Sequence, residues 1–122
     1  MKHKLLYIDD ELINLQVFKI NFSRDYEVLT VDKCSEGFNV LDANPDIAII
    51  ISDMKMPEMN GLEFISKAKE KYPSKKFYIL TGFDVTSEIE NALKTGLILK
   101  YFKKPFNYSE IKITLETTLN SL

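Results

Sequence analysis

Short apolar runs rich in Ile, Val, Leu and Tyr alternate along the chain with longer segments in which apolar positions recur every three or four residues. The short runs predict strands over 4–8, 26–31, 47–52, 77–81 and 99–102, and the longer segments predict helices near 12–22, 35–43, 61–72, 86–95 and 107–119. Such an alternation is what βαβ units closing a parallel sheet produce. The run Ile47-Ala48-Ile49-Ile50-Ile51 has no polar alternation, which predicts a central strand covered on both faces.

Local signals mark several helix ends. Ser87 with Glu90 reads as a capping box ahead of Ile89, Ala92 and Leu93, and Gly96 is placed to end that helix in a left-handed conformation. Asn107 is placed to cap the last helix, whose buried stripe is expected to be Ile111, Leu115, Leu119 and Leu122. Asn60-Gly61 opens the third helix and Pro73 follows its end. Gly37 lies inside the second, where glycine costs about 1 kcal/mol relative to alanine, so a short or frayed helix is expected there. No internal repeat, low-complexity tract or linker interrupts the pattern, and one domain over 1–122 is expected.

Composition narrows the function classes. A chain of 122 residues, 45% hydrophobic and 28% charged, suits one core. Sixteen basic against eighteen acidic residues leave a net charge of −2, so no global field draws the chain to nucleic acid or an anionic membrane, and direct nucleic-acid binding is not expected. The apolar stretch Leu5–Ile8 is cut off by Asp9 too soon for a signal peptide, and Ile47–Ile51 falls far short of the roughly 20 residues that span a bilayer. The lone Cys34 has no disulfide partner and reads as structural, which fits a soluble protein of a reducing cytoplasm.

The candidate chemistry lies at the strand ends. Asp9 and Asp10 follow the first predicted strand and Asp53 follows the third. A parallel α/β sheet sets the carboxyl ends of its strands along one edge, and carboxylates gathered there repel one another, so a divalent cation is the expected compensation. Thr81 ends the fourth strand and Lys104 follows the fifth. A single Asp or Thr at such a turn is an ordinary helix cap. Four strand ends with reactive side chains point instead to one shared metal-and-phosphoryl site. Glu11 reads as a carboxylate complementing a helix dipole, Met54, Met56 and Met59 as packing around a loop, and His3 as incidental. The lysines 67, 69, 71, 75 and 76 are expected to solvate the third helix and its exit.

Four motifs stand in order: Asp9-Asp10-Glu11, then Asp53-Met54-Lys55-Met56-Pro57-Glu58-Met59-Asn60-Gly61, then Thr81-Gly82, then Lys104-Pro105-Phe106. Together they resemble the response-regulator receiver domain of two-component signalling, over about Lys4 to Leu119. The resemblance implies a flavodoxin-like, doubly wound (βα)5 sandwich with a parallel five-stranded sheet in the order 2-1-3-4-5, and a phosphorylation switch in place of a turnover enzyme. It implies that Asp53 is the phosphoacceptor nucleophile, forming an aspartyl phosphate. Mg2+ would be held by Asp10, Asp53, the backbone carbonyl of Lys55 and, directly or through water, Asp9. Lys104 and Thr81 would meet the phosphoryl oxygens. The role falls to Lys104 and not to its neighbour Lys103 because the family places its lysine before proline, and the bond to Pro105 is typically cis.

By the same resemblance Tyr101 occupies the position of an aromatic switch, and Lys55 and Phe83 flank the path of attacking water. The stretch from Gly96 to Tyr101 is one residue longer than the commonest family spacing, which bears on the loop entering the fifth strand. The implied donor is a sensor histidine kinase. The implied output is a changed face of the fourth helix, fifth strand and fifth helix, read by an effector domain, a downstream protein or a phosphorylation-promoted homodimer.

Three other readings fit the pattern less well. A magnesium-dependent phosphohydrolase on a similar sheet usually carries a second acid two residues after its nucleophile, where this chain has Lys55. A flavin site would need donors where Asp9-Asp10-Glu11 stands and would be repelled by it. A pseudo-receiver used only for docking would not need the complete set of site residues.

Overall fold

In the computed structural model, which describes residues 2–122, five strands alternate with five helices. The strands are β1 (Lys4–Ile8), β2 (Glu27–Val31), β3 (Ile47–Asp53), β4 (Lys76–Thr81) and β5 (Lys100–Lys103). The helices are α1 (Leu12–Phe22), α2 (Cys34–Ala43), α3 (Gly61–Lys71), α4 (Ser87–Lys94) and α5 (Tyr108–Asn120). All strand pairs are parallel and the order is β2-β1-β3-β4-β5, as the resemblance implies. The chain leaves β1 toward one edge and from β3 onward builds toward the other. The order therefore reverses between β1 and β3, and Asp9, Asp10 and Asp53 stand at that switch point, where open α/β sheets bind ligands.

The uninterrupted apolar run of β3 is central because both its faces are buried. Ile50 joins Leu6, Ile8, Phe64, Ile65, Phe77 and Ile79 on one side of the sheet. Ile49 and Ile51 join Leu5, Tyr7, Phe18, Phe22, Tyr78, Ile111 and Leu115 on the other. Successive strand residues point to opposite faces, so one strand feeds both layers.

Several helix ends form as expected. Asn60 accepts from the Glu63 amide at 2.9 Å while the Glu63 side chain accepts from the Asn60 amide at 3.0 Å, a complete capping box. Asn107 caps α5 through the Glu110 amide at 3.0 Å, and Gly96 has φ 78°. The cap of α4 differs from expectation. Thr86, not Ser87, accepts from the Ile89 amide, at 3.2 Å, which makes Ser87 the first helical residue and leaves Glu90 one position too far along for a box. Leu122 is exposed because α5 ends at Asn120, so the buried stripe is Ile111, Leu115 and Leu119.

The expected short or frayed second helix is corrected: α2 runs unbroken for ten residues. A Cβ on Gly37 would lie 3.0 Å from the Phe64 ring and 3.1 Å from Ile8 Cδ1, so the glycine lets α2 approach the sheet and α3. The lysine run is also corrected in part. Lys75 is buried, and its ammonium donates to the carbonyls of Pro45 at 2.9 Å and Ile47 at 2.5 Å, tying the exit of α3 to the entry of β3. Lys69 donates to the Gly96 carbonyl at 2.6 Å. Lys67 and Lys71 are exposed.

In the loop entering β5, Ile98 is buried and the Leu99 amide donates to the Phe77 carbonyl at 3.0 Å, just ahead of the strand that begins at Lys100. Cys34 is buried, and burial pushes its thiol up to about 11, so it stays an unreactive packing group. His3 is exposed, and its carbonyl accepts from the Glu27 amide at 2.9 Å. Among the described residues no helix is long and apolar enough to cross a membrane.

The start of α3 is fitted against the end of β3 with no spare volume. The Gly61 amide donates to the Met54 carbonyl at 2.8 Å, and a Cβ at Gly61 would fall 2.3 Å from the Asp53 carbonyl oxygen and 2.9 Å from Ile79 Cδ1. Gly61→Ala is therefore expected to lower unfolding free energy by about 3 kcal/mol, as overpacking against rigid backbone does. Urea denaturation would read this as a shifted midpoint at unchanged slope. A loss below about 0.5 kcal/mol, within the range of an ordinary surface substitution, would show that the loop yields freely.

Candidate functional site

Asp9, Asp10 and Asp53 offer carboxylate oxygens that lie within 4.8 Å of one another. Lys104, beyond the end of β5, closes the cluster. Its Nζ stands 2.9 Å from Asp9 Oδ2 and 3.2 Å from Asp53 Oδ1. The Lys104–Pro105 peptide is cis, and the neighbouring Lys103 is exposed. The Lys104 amide donates to the Thr81 carbonyl at 2.8 Å, which binds the ends of β4 and β5 together. Thr81 itself is buried, and its Oγ1 accepts from the Phe83 amide at 3.1 Å. The strand ends predicted to share a site are thus brought together.

The three carboxylates are not equivalent. Asp9 is wholly buried and takes four donors: Tyr7 Oη at 2.6 Å, Asn14 Nδ2 at 3.2 Å and Lys104 Nζ at 2.9 Å on Oδ2, and the Glu11 amide at 3.0 Å on Oδ1. Asp53 receives the Met54 amide at 2.9 Å and Lys104, both on Oδ1. Among the described residues its Oδ2 accepts no hydrogen bond, and Asp10 is exposed. The hard oxygens available to a cation are therefore those of Asp10 and Asp53, with Asp9 Oδ1, which accepts only the Glu11 amide, beside them. This donor set suits an oxygen-seeking divalent ion that keeps some of its water.

Asp10, Glu11, Asn14, Asp53, Lys55, Gly82, Phe83 and Lys104 line a cleft of about 380 Å³. Lys55 and Phe83 touch across its mouth, the ammonium 4.5 Å from the ring centroid, a cation–π contact that holds an exposed phenylalanine in place. The Glu11 side chain forms no cap hydrogen bond, and its place at the start of α1 is that of a dipole-complementing carboxylate. Tyr101 is half-buried, and it and the methionines 54, 56 and 59 pack against the core on the α2–α3–α4 side.

Tyr7 and Asn14 were not singled out by sequence. The signal for Tyr7 was present: it precedes Asp9 by two residues, so the two side chains share a strand face. Asn14 is brought to Asp9 only by the first turn of α1.

Electrostatics follow the geometry. Burial, and then the charge of Asp9, push the Asp53 carboxyl up from 3.8 to about 6 against the pull of Lys104. For Lys104 burial is the largest influence and opposes its charge, but hydrogen bonding and attraction from Asp9 and Asp53 outweigh it and raise its pKa. The Tyr7 phenol is raised by burial and by Asp9, so it remains a donor.

The family model for the response regulator receiver domain matches residues 5–116. The chain is 34% identical to the chemotaxis protein CheY homolog of Campylobacter jejuni, over 97% of this chain and 93% of that one. It is 36% identical to the chemotaxis protein CheY1 of Helicobacter pylori, over 97% of this chain and 98% of that one. A response regulator receiver domain protein from Clostridium thermocellum has a solved structure that superimposes with a TM-score of 0.89 at 32% identity, covering 97% of this chain and 94% of that one.

The raised Asp53 pKa has a measurable sign. Between about pH 4 and 6 the native state binds more protons than the unfolded chain, so the group favours folding most below pH 4 and that contribution is lost as pH rises through 6. Asp53→Asn, neutral at every pH, is expected to be more stable than the parent at pH 7.5 by about 1–3 kcal/mol in metal-free buffer. The gain should shrink toward zero at pH 4. Denaturation of both proteins across this range tests it, and a constant difference from pH 4 to 8 would contradict the buried-charge account.

Proposed function

The chain belongs to the response regulator receiver domain family, whose members are phosphorylation-dependent signalling switches and not turnover enzymes, and we propose that Asp53 is its phosphoacceptor. The observation that carries this is one ammonium, Lys104 Nζ, shared by Asp9 and Asp53 in a cleft that also holds Asp10. The donor is the phosphohistidine of a sensor histidine kinase. The whole of 1–122 acts as a single receiver domain in the cytoplasm.

Asp53 attacks through Oδ2, the oxygen free of hydrogen bonds. A bond forms from that oxygen to phosphorus, the bond from phosphorus to the donor nitrogen breaks, and the imidazole leaves with the electron pair. Transfer of this kind depends mainly on positioning and charge neutralisation. Lys104 lies 3.2 Å from the other Asp53 oxygen and needs only a small shift of its stem to reach a phosphoryl oxygen. The Thr81 hydroxyl, now an acceptor for the Phe83 amide, keeps its own proton to donate. Mg2+, when held by Asp10, Asp53 and the Lys55 carbonyl with Asp9 behind them, supplies neutralising charge to the transferring group.

The switch runs through the backbone bond between Lys104 and Thr81 and through Tyr101, which pairs with Ile79 in the sheet. The face it changes is that of α4, β5 and α5, where Leu93, Lys100, Tyr101, Lys103 and Glu110 line a shallow groove. An effector domain, a downstream protein or a second copy would read it. Couplings of about 1–3 kcal/mol are typical of such devices, so the unmodified protein retains some output. A phosphohydrolase is disfavoured because the position two residues after Asp53 holds Lys55, with its ammonium over Phe83 where an acid would be needed.

Acetyl phosphate with Mg2+ should add one phosphoryl group per chain by intact mass, and none to Asp53→Asn or in the presence of chelator. Lys104→Ala should not weaken Mg2+ binding but should slow labelling. Labelling that survives in Asp53→Asn would remove the assignment. The Lys55–Phe83 contact covers the path of attacking water, so Phe83→Ala should shorten the lifetime of the phosphorylated form severalfold. Decay of the labelled mass with time reads this, and an unchanged or longer lifetime would show that the contact does not shield the group.

A further inference from the structure

We propose that Tyr7 is a positioning residue of this site: with Asn14 it holds Asp9 as a hydrogen-bonded anion, so that Lys104 can leave Asp9 for a phosphoryl group on Asp53. The proposal rests on the reading of Asp53 as phosphoacceptor.

Three donors converge on Asp9 Oδ2, namely Tyr7 Oη, Asn14 Nδ2 and Lys104 Nζ. A carboxylate oxygen offers about two lone-pair sites, so the three compete for one charge. Two of them are fixed. The Tyr7 ring is buried and stacked on Phe18 with centroids 4.3 Å apart, and Asn14 is held by the first turn of α1. Lys104 alone reaches the oxygen on a flexible stem, its side chain 22% exposed. It is therefore the donor able to leave.

Departure of Lys104 strands a wholly buried carboxylate. An ion stripped of partners in the interior is strongly unfavourable, whereas one that keeps several hydrogen bonds is tolerated. With Tyr7 present, Asp9 retains the phenol, the Asn14 amide and the Glu11 backbone amide after Lys104 moves. Without the phenol it retains two donors, and its less dispersed charge grips Lys104 more firmly. The same undispersed charge draws a cation in the cleft more strongly. Loss of the hydroxyl thus pushes two quantities in opposite directions: Mg2+ affinity upward and the rate at saturating Mg2+ downward.

Tyr7→Phe keeps the stacked ring and removes only the hydroxyl. Calorimetric titration of the full chain with MgCl2 is expected to give a tighter dissociation constant by about two- to fivefold, while labelling by acetyl phosphate at saturating Mg2+ slows roughly tenfold, the scale of one hydrogen bond to a charged group. In a Lys104→Ala background the same change should leave the labelling rate unaltered, because Tyr7 acts through Lys104. Asn14→Ala, which removes a donor without touching the core, should shift both quantities in the same directions and carries the test if Tyr7→Phe loses its fold. Affinity and rate falling together, a rate within twofold of the parent, or an equal slowing in the Lys104→Ala background would each overturn the role of Tyr7. Absence of labelling at Asp53 in the parent protein would instead remove the phosphoacceptor reading on which the proposal stands.

Discussion

The sharing of one ammonium between two buried carboxylates is the interaction on which the site depends. Asp9 is wholly enclosed and Asp53 nearly so, and without Lys104 between them two anions would face each other in a medium that screens them poorly. A buried pair of this kind gains little net stability, because desolvating the ions offsets most of their attraction. Its value lies elsewhere. The pull of Lys104 does not fully compensate the burial of Asp53, whose carboxyl stays raised to about 6. The site is left with an unmet demand for positive charge, which is the condition under which a divalent cation binds.

The scaffold meets that demand by close approach at few points. Gly61 lets the start of α3 lie against the Asp53 carbonyl, and the Asn60–Glu63 box holds that start in place. The backbone bond from Lys104 to Thr81 joins the two strand ends that complete the site. On the other side of the sheet, Tyr7, Phe18, Phe22 and Phe106 form a continuous aromatic layer between β1, α1 and the turn after β5. That layer makes the position of the Tyr7 hydroxyl a property of the core. The acidic cluster is thereby tied to the packing of α1 as well as to the sheet.

Two surfaces flank the Asp53 carboxylate with different chemistry. The mouth is bridged by Lys55 and Phe83, a contact between a cation and an aromatic face that is worth only about 0.5–1 kcal/mol because both groups stay exposed to water. The rear is closed by Asp9 and its donors. Among the described residues Lys104 is the only side chain paired with both carboxylates, and its backbone amide ties it to the end of β4.

Much of this architecture was legible in the chain. The alternation of strand and helix, the central place of β3, the caps at Asn60 and Asn107 and the four reactive strand ends all follow from patterns that repeat within a few residues, because backbone hydrogen bonding and side-chain direction are set locally. What only the tertiary structure decided involves partners remote in sequence. Lys104 and Asp9 are 95 residues apart, Lys75 finds the carbonyls of β3 and not solvent, and Lys55 finds Phe83. The helix α1 makes the point most clearly. Apolar residues lie all round it, so periodicity could not choose its inner face. Leu15, Phe18 and Phe22 are buried, and Leu12, Ile13, Val17 and Ile20 are exposed, because only the first set meets the aromatic face of the sheet and α5. That choice brings Asn14 to Asp9, and it depends on the shape of neighbouring layers that no local window of sequence contains.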